Sequence, residues 1–204
     1  MTVRAAGVLL AHGAGSDKDH PTLLAIERAL APLPVHRFDF PYRTRGPRRP
    51  PDRAPVLLAA VRAEATGFAA RIGAPPEALV LGGRSMGGRM CSMAVAEGLP
   101  AAGLVLLGYP LHPPGRSERL RTEHLPQLDV PCLFVSGTRD PFATPDELRA
   151  ATTTIPGPVS HHWVEGGRHE LRGADDQVAA AVRAWLAPPP PSCRVIVPDG
   201  PPAP

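Results

Sequence analysis

Lysine is almost missing from this chain. Of its 22 basic residues only Lys18 is lysine; the others are arginine. Together with the abundance of Ala, Pro and Gly, that bias points to GC-rich codons more than to a task for arginine. The formal net charge is +3, too small a surplus to argue for a nucleic-acid partner. Cysteine is scarce as well. Cys91, Cys132 and Cys193 make an odd set without metal-ligand spacing, which argues against a disulfide framework or a cysteine-held metal. Cys91 and Cys132 sit in apolar runs and read as small buried hydrophobes, whereas Cys193 falls in the tail. No apolar stretch approaches the ~20 residues of a spanning helix. The start, Met1-Thr2-Val3-Arg4, carries no signal-peptide pattern. The expectation is therefore a cytoplasmic protein with no membrane partner.

Proline is plentiful. The 28 prolines cluster in residues 41–55 and from 188 onward, so they mark loops and leave the core intact. With 204 residues, 43% hydrophobic and 20% charged, the chain suits one soluble domain with a sizeable core. We place that domain at 1–187, followed by a proline-rich tail at 188–204. No internal repeat is visible.

Apolar runs at 5–11, 35–40, 78–82, 103–107, 132–136 and 160–164 read as strands. Segments 21–31, 54–72, 90–98, 145–151 and 174–186 read as helices. Leu23, Leu24, Ile26, Ala29 and Leu30 form the inner face of the first. Val56, Leu57, Ala60, Val61, Ala65 and Phe68 form that of the second. Val178, Ala181, Val182, Trp185 and Leu186 form that of the last. Residues 43–53 read as a loop. Alternating strands and helices predict an α/β fold: a doubly wound, mostly parallel six-stranded sheet with helices on both faces and no cap domain.

Gly83-Arg84-Ser85-Met86-Gly87 sits where the third strand turns into a helix. A G-x-S-x-G pentapeptide in that setting is a nucleophile elbow: the serine occupies a tight turn, and small residues flank it because strand and helix nearly touch. A serine hydroxyl attacks only when a base takes its proton, and that base needs an orienting acid. Ser85, Asp140 and His169 follow in the order Ser, acid, His, the last two in loops after the fifth and sixth strands. Asp39 and Asp129 are rival acids. However, Asp39 precedes the serine and Asp129 precedes its strand. The amides of Met86 and Ala14, the latter in His12-Gly13-Ala14-Gly15 after the first strand, are candidate oxyanion donors. His12 is expected to bond backbone beneath that loop. His161 and His162, adjacent in a strand, are expected to face opposite ways. No metal or organic cofactor is needed for this chemistry.

These segments resemble the α/β-hydrolase superfamily, and within it a compact dienelactone-hydrolase-like group. Further matching stretches are Phe38-Asp39-Phe40-Pro41-Tyr42-Arg43, Leu107-Gly108-Tyr109-Pro110, Gly137-Thr138-Arg139-Asp140-Pro141-Phe142 and Trp163-Val164-Glu165-Gly166-Gly167. The resemblance spans about residues 5–187 and implies hydrolase chemistry with Ser85, Asp140 and His169 in the three roles. Two departures stand out. Dienelactone hydrolases use a cysteine nucleophile where this chain has Ser85. The group often carries an acidic residue before the histidine, where this chain has Arg168.

The implied activity is hydrolysis of a small carboxylic ester. The arginines of 43–53 and Arg116, Arg119 and Arg121 read first as a solvated basic surface in an arginine-biased chain, and secondly as a lean toward an anionic ester or thioester. Arg84 is expected to point away and pair with a surface carboxylate; neither it nor Arg89 is assigned a substrate role. Arg43 and Tyr109 are candidate substrate contacts. A thioesterase or acyltransferase would use the same triad. A scaffold that kept the fold is the reading from another class, since a chromatin-complex subunit also resembles this group. The sequence leaves the oligomeric state open.

Overall fold

Within each central strand, period-2 alternation splits a continuous apolar run between two cores. Leu9, Ala11, Leu79, Leu81, Leu104, Leu106, Cys132 and Phe134 face one side, while Val8, Leu10, Val80, Val105, Leu107, Leu133 and Val135 face the other. A strand buried on both faces has to be apolar at every position, and the strands Gly7–Ala11, Leu79–Arg84 and Gly103–Leu107 are buried throughout. The structure, a computed structural model, describes residues 3–46 and 49–187. The tail expected at 188–204, with Cys193, lies outside the described residues, as do Met1, Thr2, Pro47 and Arg48 of the basic loop.

The elements run β1 (Gly7–Ala11), α1 (Pro21–Leu30), β2 (Val35–Phe38), α2 (Pro41–Thr44), α3 (Ala54–Ile72), β3 (Leu79–Arg84), α4 (Met86–Ala96), β4 (Gly103–Leu107), β5 (Cys132–Gly137), α5 (Pro145–Thr152), β6 (Val159–Val164) and α6 (Asp175–Leu186). The strands form one sheet in the order β2-β1-β3-β4-β5-β6, and every pair is parallel. Helices α3, α4 and α5 cover one face through Val61, Phe68, Met90, Ala94 and Leu148. Helices α1 and α6 cover the other through Leu23, Ile26, Val178 and Val182. This is the doubly wound arrangement expected from the sequence, with the sheet wholly parallel.

Four local expectations change. Strand β2 ends at Phe38, because Phe40 is the N-cap of α2 and Pro41 fills its first position. Proline there has its φ preset and loses no needed N–H, so part of the expected loop is helical. Val56 is 44% exposed. Leu57, Val61, Ala65 and Phe68 are buried as expected, Ala60 packs partly buried on the same core, and Leu58 and Ala69 widen the stripe on α3. On α1, Leu23, Ile26 and Leu30 are buried as expected, Ala29 packs partly buried beside them, and Ala25 is buried where Leu24 was expected. Strand β3 continues past its glycines to Arg84, which pairs with Leu107.

That extension positions the elbow. A Cβ at Gly83 would overlap the carbonyl oxygen of Ala11, and one at Gly87 would overlap those of Ala11 and His12. The end of β1, the end of β3 and the start of α4 touch backbone to backbone. Among the described residues no helix is long and apolar enough to cross a membrane. Cys91 and Cys132 are buried thiols, and burial pushes both up to about 12.

Gly87→Ala sets a methyl group against two carbonyls, those of Ala11 and His12, at the end of a paired strand. The expected cost is about 1–3 kcal/mol of stability, as for other overpacked sites. It would be read as a lower urea midpoint with an unchanged slope. An unchanged midpoint would contradict this packing.

Candidate active site

Strand β3 delivers Ser85 to the N-cap of α4 with φ 51° and ψ −117°. A non-glycine residue there stores on the order of 1–3 kcal/mol of strain. The Ser85 N–H donates to Leu107 O at 2.8 Å, and its carbonyl accepts from Arg89 N–H at 3.0 Å. Asp140 lies in the turn after β5, its N–H bonded to Gly137 O at 3.3 Å. A capping box, Thr144 with Glu147, opens α5 just beyond and fixes the way out of that turn. His169 lies in the loop after β6. Gly137 and Gly108 pass so close to that loop that a Cβ on either would crowd its backbone at Gly167 and His169. Leu171, which has a positive φ of 50°, is buried in the core of the α1/α6 face and anchors the same loop.

The three side chains meet. His169 Nε2 lies 2.8 Å from Ser85 Oγ. His169 Nδ1 lies 2.9 Å from Asp140 Oδ2 and 3.1 Å from Oδ1. Asp140 Oδ1 also accepts the Phe142 N–H at 2.8 Å, and the Phe142 ring stacks on the imidazole with centroids 4.0 Å apart. Asp140 and His169 are buried, while Ser85 borders an open cavity of about 680 Å³. All three come from the carboxyl ends of strands, where such sheets place their ligands.

The loop after β1 closes the other side. His12 is fully buried; its Nδ1 lies 2.7 Å from Gly13 O, and its Nε2 accepts from Phe40 N–H at 3.1 Å. Both contacts are to backbone, and burial pushes its pKa below the usual range. Tyr42 Oη donates to Ala14 O at 2.9 Å. The Ala14 carbonyl is thus engaged, while its N–H has no backbone partner among the described residues. Met86 is the first residue of α4, where an N–H has no intrahelical acceptor. Both residues line the cavity.

Arg43 and Tyr109, expected near substrate, do not line this cavity. Arg43 is engaged with Asp17 at 3.1 Å. Tyr109 is buried, with its hydroxyl 3.1 Å from His124 Nε2. Its apolar surroundings explain why it packs instead of greeting substrate. Arg84 does pair with a surface carboxylate, Glu170, but it is buried and borders the cavity. The acidic residue expected before the histidine is thus replaced by one after it, while Arg168 is exposed. Arg84 and Glu170 are chain neighbours of Ser85 and His169, a charge pairing that could have been read from the sequence. Arg89, given no site role above, lines the cavity too, and so does Arg121 from the excursion after β4. His161 and His162 do face apart: His161 stacks on Phe134 and Trp163, while His162 meets Gln177 at 3.3 Å.

A family described as an alpha/beta hydrolase domain matches residues 4–182. The chain belongs to the alpha/beta hydrolase family. Among similar solved structures, an alpha-beta serine hydrolase homologue from Coxiella burnetii superposes with a TM-score of 0.72 at 16% identity, covering 91% of this chain and 87% of that one. A dienelactone hydrolase from Anabaena variabilis gives 0.66 at 19% identity, with coverage of 91% and 88%. At these identities the likeness is one of fold. A pimeloyl-[acyl-carrier protein] methyl ester esterase from Stenotrophomonas maltophilia is 35% identical over 63 residues. That match spans 31% of this alpha/beta hydrolase and 24% of the esterase.

His124, half-buried behind Tyr109, ties stability to pH. Its Nε2 lies 2.9 Å from Ser92 Oγ and 3.1 Å from Tyr109 Oη. Burial, helped by the nearby Arg89 charge, pushes it down to about 4 from 6.5. The unfolded chain therefore binds this proton at a higher pH than the folded one. Folded stability is complete above about pH 6.5 and is lost as pH falls from there toward 4. The melting temperature should drop across that window, and His124→Gln should drop less. Equal drops in both proteins would contradict a neutral buried His124.

Proposed function

We propose that this alpha/beta hydrolase is a serine hydrolase of carboxylic esters, working through Ser85, His169 and Asp140. The observation that carries the reading is His169, set 2.8 Å from Ser85 Oγ on one side and 2.9 Å from Asp140 Oδ2 on the other. Asp140 holds Nδ1–H, which leaves Nε2 as the base. Ser85 Oγ attacks the acyl carbon as its proton passes to Nε2. The carbonyl oxygen becomes an oxyanion, and the amides of Met86 and Ala14 are the donors proposed for it. Removing one such donor costs roughly 2.7–4 kcal/mol of barrier in comparable sites. As the tetrahedral species collapses, the ester C–O bond breaks and His169 gives its proton to the departing alcohol. A water, losing its proton to Nε2, then splits the acyl-enzyme and releases the acid.

The family supports hydrolysis as the reaction class. The esterase that shares a short stretch with this chain supports an ester as substrate. The open cavity suits a small molecule.

On 4-nitrophenyl acetate, Ser85→Ala should remove the catalysed rate, since a triad acts as a unit supplying on the order of 10⁶ in turnover. Asp140→Asn should lower kcat about 10⁴-fold with the fold intact, because Nδ1–H loses its acceptor and the imidazole its tautomer. Wild-type turnover retained in Asp140→Asn would overturn the assignment of the acid.

A further inference from the structure

The charges around the cavity do not balance. Its lining holds four arginines, Arg84, Arg89, Arg121 and Arg172, against one carboxylate, Glu170. Glu170 is committed to Arg84. Arg89 and Arg121 form no ion pair among the described residues, and the buried Nε of Arg89 has no hydrogen-bond partner. Elsewhere this chain neutralises its partly buried arginines: Arg37 meets Asp19 and Glu27 at 2.8 Å.

Both positions are fixed by backbone. Arg89 sits one turn after Ser85 on α4, its N–H bonded to the Ser85 carbonyl. Arg121 lies midway along the excursion between β4 and β5, its N–H donating to Leu111 O at 2.9 Å. The two guanidinium groups feel each other: burial pushes Arg121 down, and the Arg89 charge adds to it. Tyr109 and His124 feel Arg89 as well, but Tyr109 is held uncharged by burial and His124 is kept neutral. Two partly buried cations near each other with no counter-charge are unfavourable. An anion from outside relieves it, and paired guanidinium forks suit carboxylate or phosphate oxygens.

We propose that Arg89 and Arg121 form an anion subsite beside Ser85, which receives a carboxylate or phosphate group carried on the acyl or alcohol part of the ester. This rests on the ester-hydrolase reading for its substrate but not for its binding chemistry.

The test uses the full chain, a neutral ester (4-nitrophenyl acetate) and two probes, glutarate and inorganic phosphate, at constant ionic strength. At least one probe should inhibit wild type competitively. Arg89→Gln and Arg121→Gln should each raise its inhibition constant about tenfold. Inhibition by glutarate alone identifies a carboxylate-bearing substrate, and by phosphate alone a phosphorylated one. No inhibition in wild type, or inhibition of both variants as strong as that of wild type, overturns the subsite while leaving the hydrolase reading standing. If wild type turns over no ester, the hydrolase reading fails, and the subsite is read from melting temperature instead. There the same probe should give a saturable rise in wild type that is lost in both variants; no rise, or an equal rise in all three proteins, overturns it.

Discussion

The backbone of one residue organises this molecule. Ser85 is held at a positive φ because the end of β3 must turn into α4 while both press against the end of β1. Gly83 and Gly87 allow that approach, since a side chain on either would overlap the carbonyls of Ala11 or His12. The strain is small beside the hydrophobic burial of two full cores, so the fold sustains it. In return the hydroxyl stands at the sheet's carboxyl edge, at the start of a helix whose first N–H has no intrahelical acceptor. Asp140 and His169 need only reach that edge from the two strands on the far side of β4.

Much of this is legible in the sequence because each central strand is a short, unbroken apolar run bounded by turn residues. The order Ser85, Asp140, His169 is legible for a related reason: each follows a strand segment, so each falls on the same edge of a parallel sheet. What stays hidden is where charges end up. Arg84 pairs with a surface carboxylate as read from the sequence, yet it is buried and borders the cavity, which the sequence does not show. Tyr109 reads as a substrate contact, yet it is sealed against His124 and Phe134. Helix α2 is too short to show a period, and the turn of α3 that exposes Val56 depends on packing against β1 and α4.

The arginine bias acquires a meaning only in three dimensions. The basic loop suggested by the sequence is partly self-neutralised, with Arg43 on Asp17 and Arg45 on Asp52. The uncompensated charge sits instead on Arg89 and Arg121, which flank the cavity in front of Ser85. Composition explains why arginines are many. It does not explain why Arg89 and Arg121, without an ion pair among the described residues, line the cavity.

The central claim is that Ser85 is an activated nucleophile, and the most direct measurement is the site and rate of its reaction with a fluorophosphonate. Intact-mass and peptide mapping should find a single adduct on Ser85, forming at least a hundredfold more slowly in His169→Ala, in keeping with the 10²–10⁴ usually supplied by a positioned base. No adduct on Ser85 in the wild-type protein, or one forming at the same rate without His169, would contradict it.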